Sequence, residues 1–62
     1  MDPTPPQIEA EYPAWRVYRG TNMLWYARRE LGTPGAMLWD ENLTELRAQV
    51  ASWERLHAAA DT

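Results

Sequence analysis

The chain contains no cysteine and no lysine, and only one histidine, one serine and three glycines in 62 residues. Without cysteine it has neither a disulfide framework nor a thiolate zinc site, the usual staples of a fold this small. A single domain of this length buries only about 60 % of the surface its unfolded form exposes. Its stability must therefore come from its own side chains or from a partner. Long apolar runs are missing too: Ala36-Met37-Leu38-Trp39 falls far short of the roughly 20 residues a spanning helix needs. The first residues carry no basic region followed by an apolar block, so no signal peptide is read there and a cytoplasmic location is expected. All six basic residues are arginine, a bias that fits a GC-rich genome.

The same scarcity speaks against catalysis. Ser52 and His57 are five apart on an expected helix, about 140° around it, which is the wrong spacing for a nucleophile and its base. One histidine among scattered carboxylates gives no ligand spacing for a metal. Asp40-Glu41 reads as charge at a helix start. A chain this short also has little room to enclose a substrate. The expectation is a non-enzyme with no cofactor, no metal and no small-molecule ligand.

What the chain does hold is aromatic. Residues 15–29, WRVYRGTNMLWYARR, carry two of the four Trp, two of the three Tyr and four of the six Arg. Trp15, Val17 and Arg19 alternate with Arg16 and Tyr18; Met23, Trp25 and Ala27 alternate with Leu24, Tyr26 and Arg28. Period two on both sides of a turn former predicts a β-hairpin. A three-residue loop over Gly20-Thr21-Asn22 would pair Arg19 with Met23, Val17 with Trp25 and Trp15 with Ala27. Gly32-Thr33-Pro34-Gly35 suits a type II turn with positive φ at Gly35. Residues 36–39 then read as a third strand with Met37 and Trp39 facing inward.

Asn42 followed by Glu45 marks a helix start. Leu43, Leu46, Val50, Trp53 and His57 form its apolar stripe, widened by Gln49, Leu56 and Ala60, while Arg47, Ser52 and Arg55 fall away from it. His57, four residues after Trp53, reads as a ring packed on that indole. The fold class expected is α+β, ββ-β-α: a three-stranded antiparallel sheet with one C-terminal amphipathic helix on one face, over residues 12–60. Residues 1–11, with three Pro and three acids, are expected to be disordered or loosely ordered, at most one helical turn from Gln7 that sets Ile8 and Tyr12 on the domain edge.

Charge is segregated along this plan. Residues 14–39 carry four Arg against Glu30, whereas residues 1–13 and the segment from Asp40 onward are each net acidic, giving −3 for the chain. The face opposite the helix would show Arg16, Tyr18, Leu24, Tyr26 and Arg28. The candidate interaction face is Arg16, Tyr18, Arg19, Tyr26 and Arg28. Such a face suits a protein partner or self-association. It also suits nucleic acid, with Arg on phosphates and rings on bases, although an acidic domain is the opposite of the usual nucleic-acid footprint. No membrane contact is expected.

The pattern Tyr12-Pro13-Ala14-Trp15-Arg16-Val17, then Trp25-Tyr26-Ala27-Arg28-Arg29, then Leu43-Thr44-Glu45-Leu46-Arg47 resembles a loose group of short actinobacterial proteins, often encoded near helix-turn-helix regulators. That resemblance implies an accessory or regulatory role and assigns no site residue. Trp25-Tyr26-Ala27 with Leu43-Thr44-Glu45-Leu46 also looks similar to the ββ-β-α unit of HicB-type antitoxins. Arg16, Arg19 and Arg28 resemble the DNA contacts of the plant ethylene-response-factor sheet. Both likenesses concern architecture, which does not fix function.

Overall fold

Five elements follow one another in the computed structural model, which describes residues 2–31 and 35–58: α1 (Pro5–Glu11), β1 (Trp15–Arg19), β2 (Trp25–Arg29), β3 (Ala36–Asp40) and α2 (Leu43–Ala58). The strands form one antiparallel sheet in the order β1-β2-β3, and α2 packs on β2 and β3. The expected ββ-β-α order is present, with a further helix ahead of it. No described helix is long and apolar enough to cross a membrane.

The hairpin is shifted by two residues from the expected register. Val17 pairs with Ala27, Arg19 with Trp25 and Trp15 with Arg29. The cause lies in the loop. Gly20 belongs to the ladder and accepts and donates across it: its N–H donates to the Leu24 carbonyl at 2.8 Å, and its carbonyl accepts from Met23 N–H at 3.1 Å. The three loop residues are thus Thr21, Asn22 and Met23, and Met23 takes a left-handed φ of 70°, the geometry of a turn followed by a bulge. The Tyr26 ring occupies the space beside Gly20, where a Cβ would stand 2.5 Å from Tyr26 Cε2. Asn22 Nδ2 donates to the Tyr26 hydroxyl at 2.7 Å and locks that arrangement. A shift of two leaves every side chain on its expected face, because the side-chain period is two.

The third strand departs from expectation in its facing. Ala27 pairs with Leu38 and Tyr26 with Trp39, so Ala36, Leu38 and Asp40 share the helix side with Trp25 and Ala27. Met37 and Trp39, expected inside, lie outside, 51 % and 57 % exposed. Asp40 explains the choice. One carboxylate oxygen accepts from Asn42 N–H at 3.2 Å, at the start of α2, and the other from Gln49 Nε2 at 2.9 Å. Both partners belong to the helix side, so Asp40 must face it, and Leu38 with it.

Residues 5–11, expected to be loosely ordered, form a capped helix. Thr4 and Gln7 make a reciprocal capping box, with Gln7 N–H donating to Thr4 Oγ1 and Thr4 N–H to Gln7 Oε1, and prolines fill the first helical positions. The ordering entropy is offset by tertiary contacts that no local pattern reveals. Ile8 is fully buried, Glu11 takes a two-point bond from Arg47 at 2.8 and 2.6 Å, and Asp2 accepts from Thr44 at 3.0 Å. Ile8 is therefore core and not domain edge.

The core joins Ile8 of α1, Trp15 and Val17 of β1, Ala27 of β2, and Leu46 and Val50 of α2. Full burial of each large member contributes about 1.5–3 kcal/mol. Trp15 meets Trp53 edge to face at 5.4 Å, and its indole N–H donates to Glu54 at 2.8 Å. That bond satisfies the one polar atom a buried indole brings with it. α2 starts as expected, with Glu45 N–H donating to Asn42 Oδ1 at 2.7 Å. His57 stacks on Trp53 at 3.7 Å. Leu56 stands 77 % exposed. The turn read over residues 32–35 lies mostly outside the described residues, as does Ala60; Gly35, which is described, is not in the left-handed region.

Candidate interaction face

The outer face of the sheet is built from two cross-strand rows. Register places Arg16, Arg28 and Met37 in one row and Tyr18, Tyr26 and Trp39 in the next. Tyr18 and Tyr26 stack at 5.6 Å with their planes 15° apart, an offset pair of the kind that adds rigidity to a strand surface. Trp39 continues that row onto β3. Of the five residues expected to form the interaction face, Arg16, Tyr18, Tyr26 and Arg28 are brought together. Arg19 is not, because it shares the side of Trp15 and Val17, and its guanidinium lies 5.2 Å above the Trp25 ring.

Electrostatically the face is quieter than its arginine count suggests. Arg16 Nε donates to one oxygen of Glu30 at 3.0 Å and Arg28 Nη2 to the other at 2.8 Å. A second carboxylate, Glu9, stands 4.0 Å from Arg16. One glutamate thus holds two guanidiniums at one end of the face, in contacts that are solvent-exposed and individually weak. A phosphate would compete with Glu30 and Glu9 at these guanidiniums, whose remaining N–H groups stay open to solvent.

Sequence reasoning missed Met37 and Trp39 as members of this face. Four consecutive apolar residues offered no alternation from which to place them; the facing is fixed by Asp40, whose donors Asn42 and Gln49 lie on the helix side.

The backbone at the two sheet edges is also unequal. Even-numbered residues of β1 and β2 bond to one another, as the flanking 14–30 and 20–24 pairs do, so β1 turns its odd-numbered polar groups outward. There the Val17 N–H donates to Glu9 of α1 at 2.8 Å. By the same alternation β3 bonds to β2 through residues 36, 38 and 40 and turns Met37 and Trp39 to its open edge. The Trp39 carbonyl accepts from Gln49 Nε2 at 3.3 Å. The Met37 N–H and carbonyl and the Trp39 N–H meet no partner among the described residues. Beside this edge, under the sheet, runs an open groove lined by Leu38, Glu45, Gln49, Ser52 and Leu56. Among the described residues, no group of three or more His, Asp or Glu side chains is placed to hold a metal ion. No known family model, curated protein or solved structure matches this chain.

Proposed function

We propose that this protein is a non-enzymatic interaction module, an accessory or antitoxin-like adaptor that docks a polypeptide on the outer face of its sheet. One observation carries the reading: Tyr18, Met37 and Trp39 stand exposed in adjacent cross-strand rows while the arginines beside them are held by Glu30. Large exposed aromatic and Met side chains on a rigid sheet are the composition of protein-binding hot spots. Nucleic-acid binding through the same rows is the competing reading. The stacked tyrosines favour it, but the acidic net charge and the carboxylates beside the arginines work against it.

The test replaces Trp39 with a benzophenone amino acid and irradiates the intact cells that make the protein. Discrete adducts that protease destroys and nuclease does not are the expected result. Adducts that nuclease destroys would overturn the reading in favour of nucleic acid, and irradiation without adducts would remove this face from the function.

A further inference from the structure

We propose that the polypeptide met by Met37 and Trp39 is a second copy of this chain, paired antiparallel through the open β3 edge across a two-fold axis at Leu38. This deepens the interaction reading above and rests on it. An uncovered strand with unpaired backbone groups is a template for another strand, and soluble proteins normally blunt it with charge, proline or a covering element. Here β1 is covered by Glu9, whereas Ala36-Met37-Leu38-Trp39 carries no charge and no proline.

The edge is self-complementary. A two-fold at Leu38 sets the outward polar groups of Met37 against those of Trp39 of the other copy, the pairing an antiparallel ladder requires. The Trp39 carbonyl then accepts the Met37 N–H on its second lone pair, beside its bond from Gln49 Nε2. Leu38 meets its own copy beneath the sheet, and Met37 meets the other copy's Trp39 above it. Asp40, the one charged residue of the strand, falls opposite Ala36, so no like charges oppose. Each outer row then runs unbroken through six strands, from Arg16, Arg28 and Met37 of one copy into Trp39, Tyr26 and Tyr18 of the other.

The helices agree with the strands. α2 sits over β2 and β3, and its groove side borders the open edge, so the two-fold lays α2 antiparallel beside its copy. Glu45 lies at the N-terminal end of that groove. Arg55 lies at the other end, its Nη2 donating to the groove residue Ser52 at 3.2 Å. The two-fold therefore brings Glu45 toward Arg55 of the other copy, twice, with opposed helix dipoles. Leu56, otherwise exposed, becomes covered. Five strand residues alone make a short contact against the ~1,000 Å² total of a specific interface; Trp39, Met37 and Leu56 on both sides of the edge extend it.

Sedimentation equilibrium from about 10 μM to 1 mM, combined with amide exchange, tests this. The expected species has twice the 7.2 kDa chain mass, and the Met37 and Trp39 amides exchange at least tenfold more slowly as it forms. Met37→Pro removes an edge donor that the β2–β3 ladder does not use, and abolishes the dimer. Should that variant fail to fold, charge exchange decides: Glu45→Arg or Arg55→Glu alone weakens association about tenfold, and the two together restore it. A monomer at every concentration overturns the proposal, as does a dimer whose Met37 and Trp39 amides remain fast, or a double exchange that does not restore association. A monomer whose Trp39 cross-links to a different polypeptide ends self-pairing alone and leaves the interaction reading standing.

Discussion

The two edges of this three-stranded sheet have opposite treatments. At β1 the outward Val17 N–H is met by a carboxylate, and α1 lies alongside with Ile8 in the core. At β3 the outward groups of Met37 meet nothing among the described residues, and two large side chains flank them in the open. A chain of 62 residues has few residues to spare, yet among the described residues it commits a capped helix to one edge and none to the other. α1 thus has a structural job, closing the core and an edge together, while among the described residues the β3 edge is left open.

The comparison can be broken most severely at Ile8. Ile8→Ala leaves a cavity between α1, β1 and α2 and should cost about 2–4 kcal/mol, a large part of the stability of so small a domain. Denaturant titration should show the midpoint falling steeply or folding lost. Glu9→Ala acts on the edge itself. Losing a charge-assisted bond to a partly buried N–H should cost about 1–2 kcal/mol and speed exchange of the Val17 amide, whereas Glu9→Gln, which keeps an acceptor, should cost less. Thr4→Ala removes the cap of α1 and should cost about 1 kcal/mol, with faster exchange through residues 7–11. At the bare edge the same scale of change should do almost nothing to folding. Trp39→Lys should move stability by no more than about 0.5 kcal/mol while removing the main exposed aromatic of the outer face; a larger loss would show that Trp39 supports the fold.

Much of this arrangement was legible from residues alone. Alternation across Trp15, Val17, Trp25 and Ala27 identified the inner face, and even a two-residue error in register could not disturb it. The helix start at Asn42 was equally plain. β3 was not legible by hydrophobicity, because four consecutive apolar residues carry no alternation from which to choose a side. Its facing depends on where Asp40 finds its donors, a tertiary matter. For α1 composition argued for looseness, and nothing local announces that Ile8 reaches the core. Arg19 was grouped with the other arginines by charge, although its odd position in β1 sets it with Trp15 and Val17 and over Trp25.

The bond between the Trp15 indole and Glu54 is one of the ties that close the molecule end to end. Strand order equals sequence order, and α1, β1, β2 and β3 each lean on their neighbour in the chain, so these units can assemble through short loop closures, which keeps such folds fast. Three ties run from the start of the chain to its last helix: Asp2 to Thr44, Glu11 to Arg47 and Trp15 to Glu54, each spanning 36 or more positions. Without α2, Trp15 would have a sheet on one side and water on the other. The last helix is therefore the clasp: it covers the indole and ties the N-terminal part of the fold to the C-terminal end.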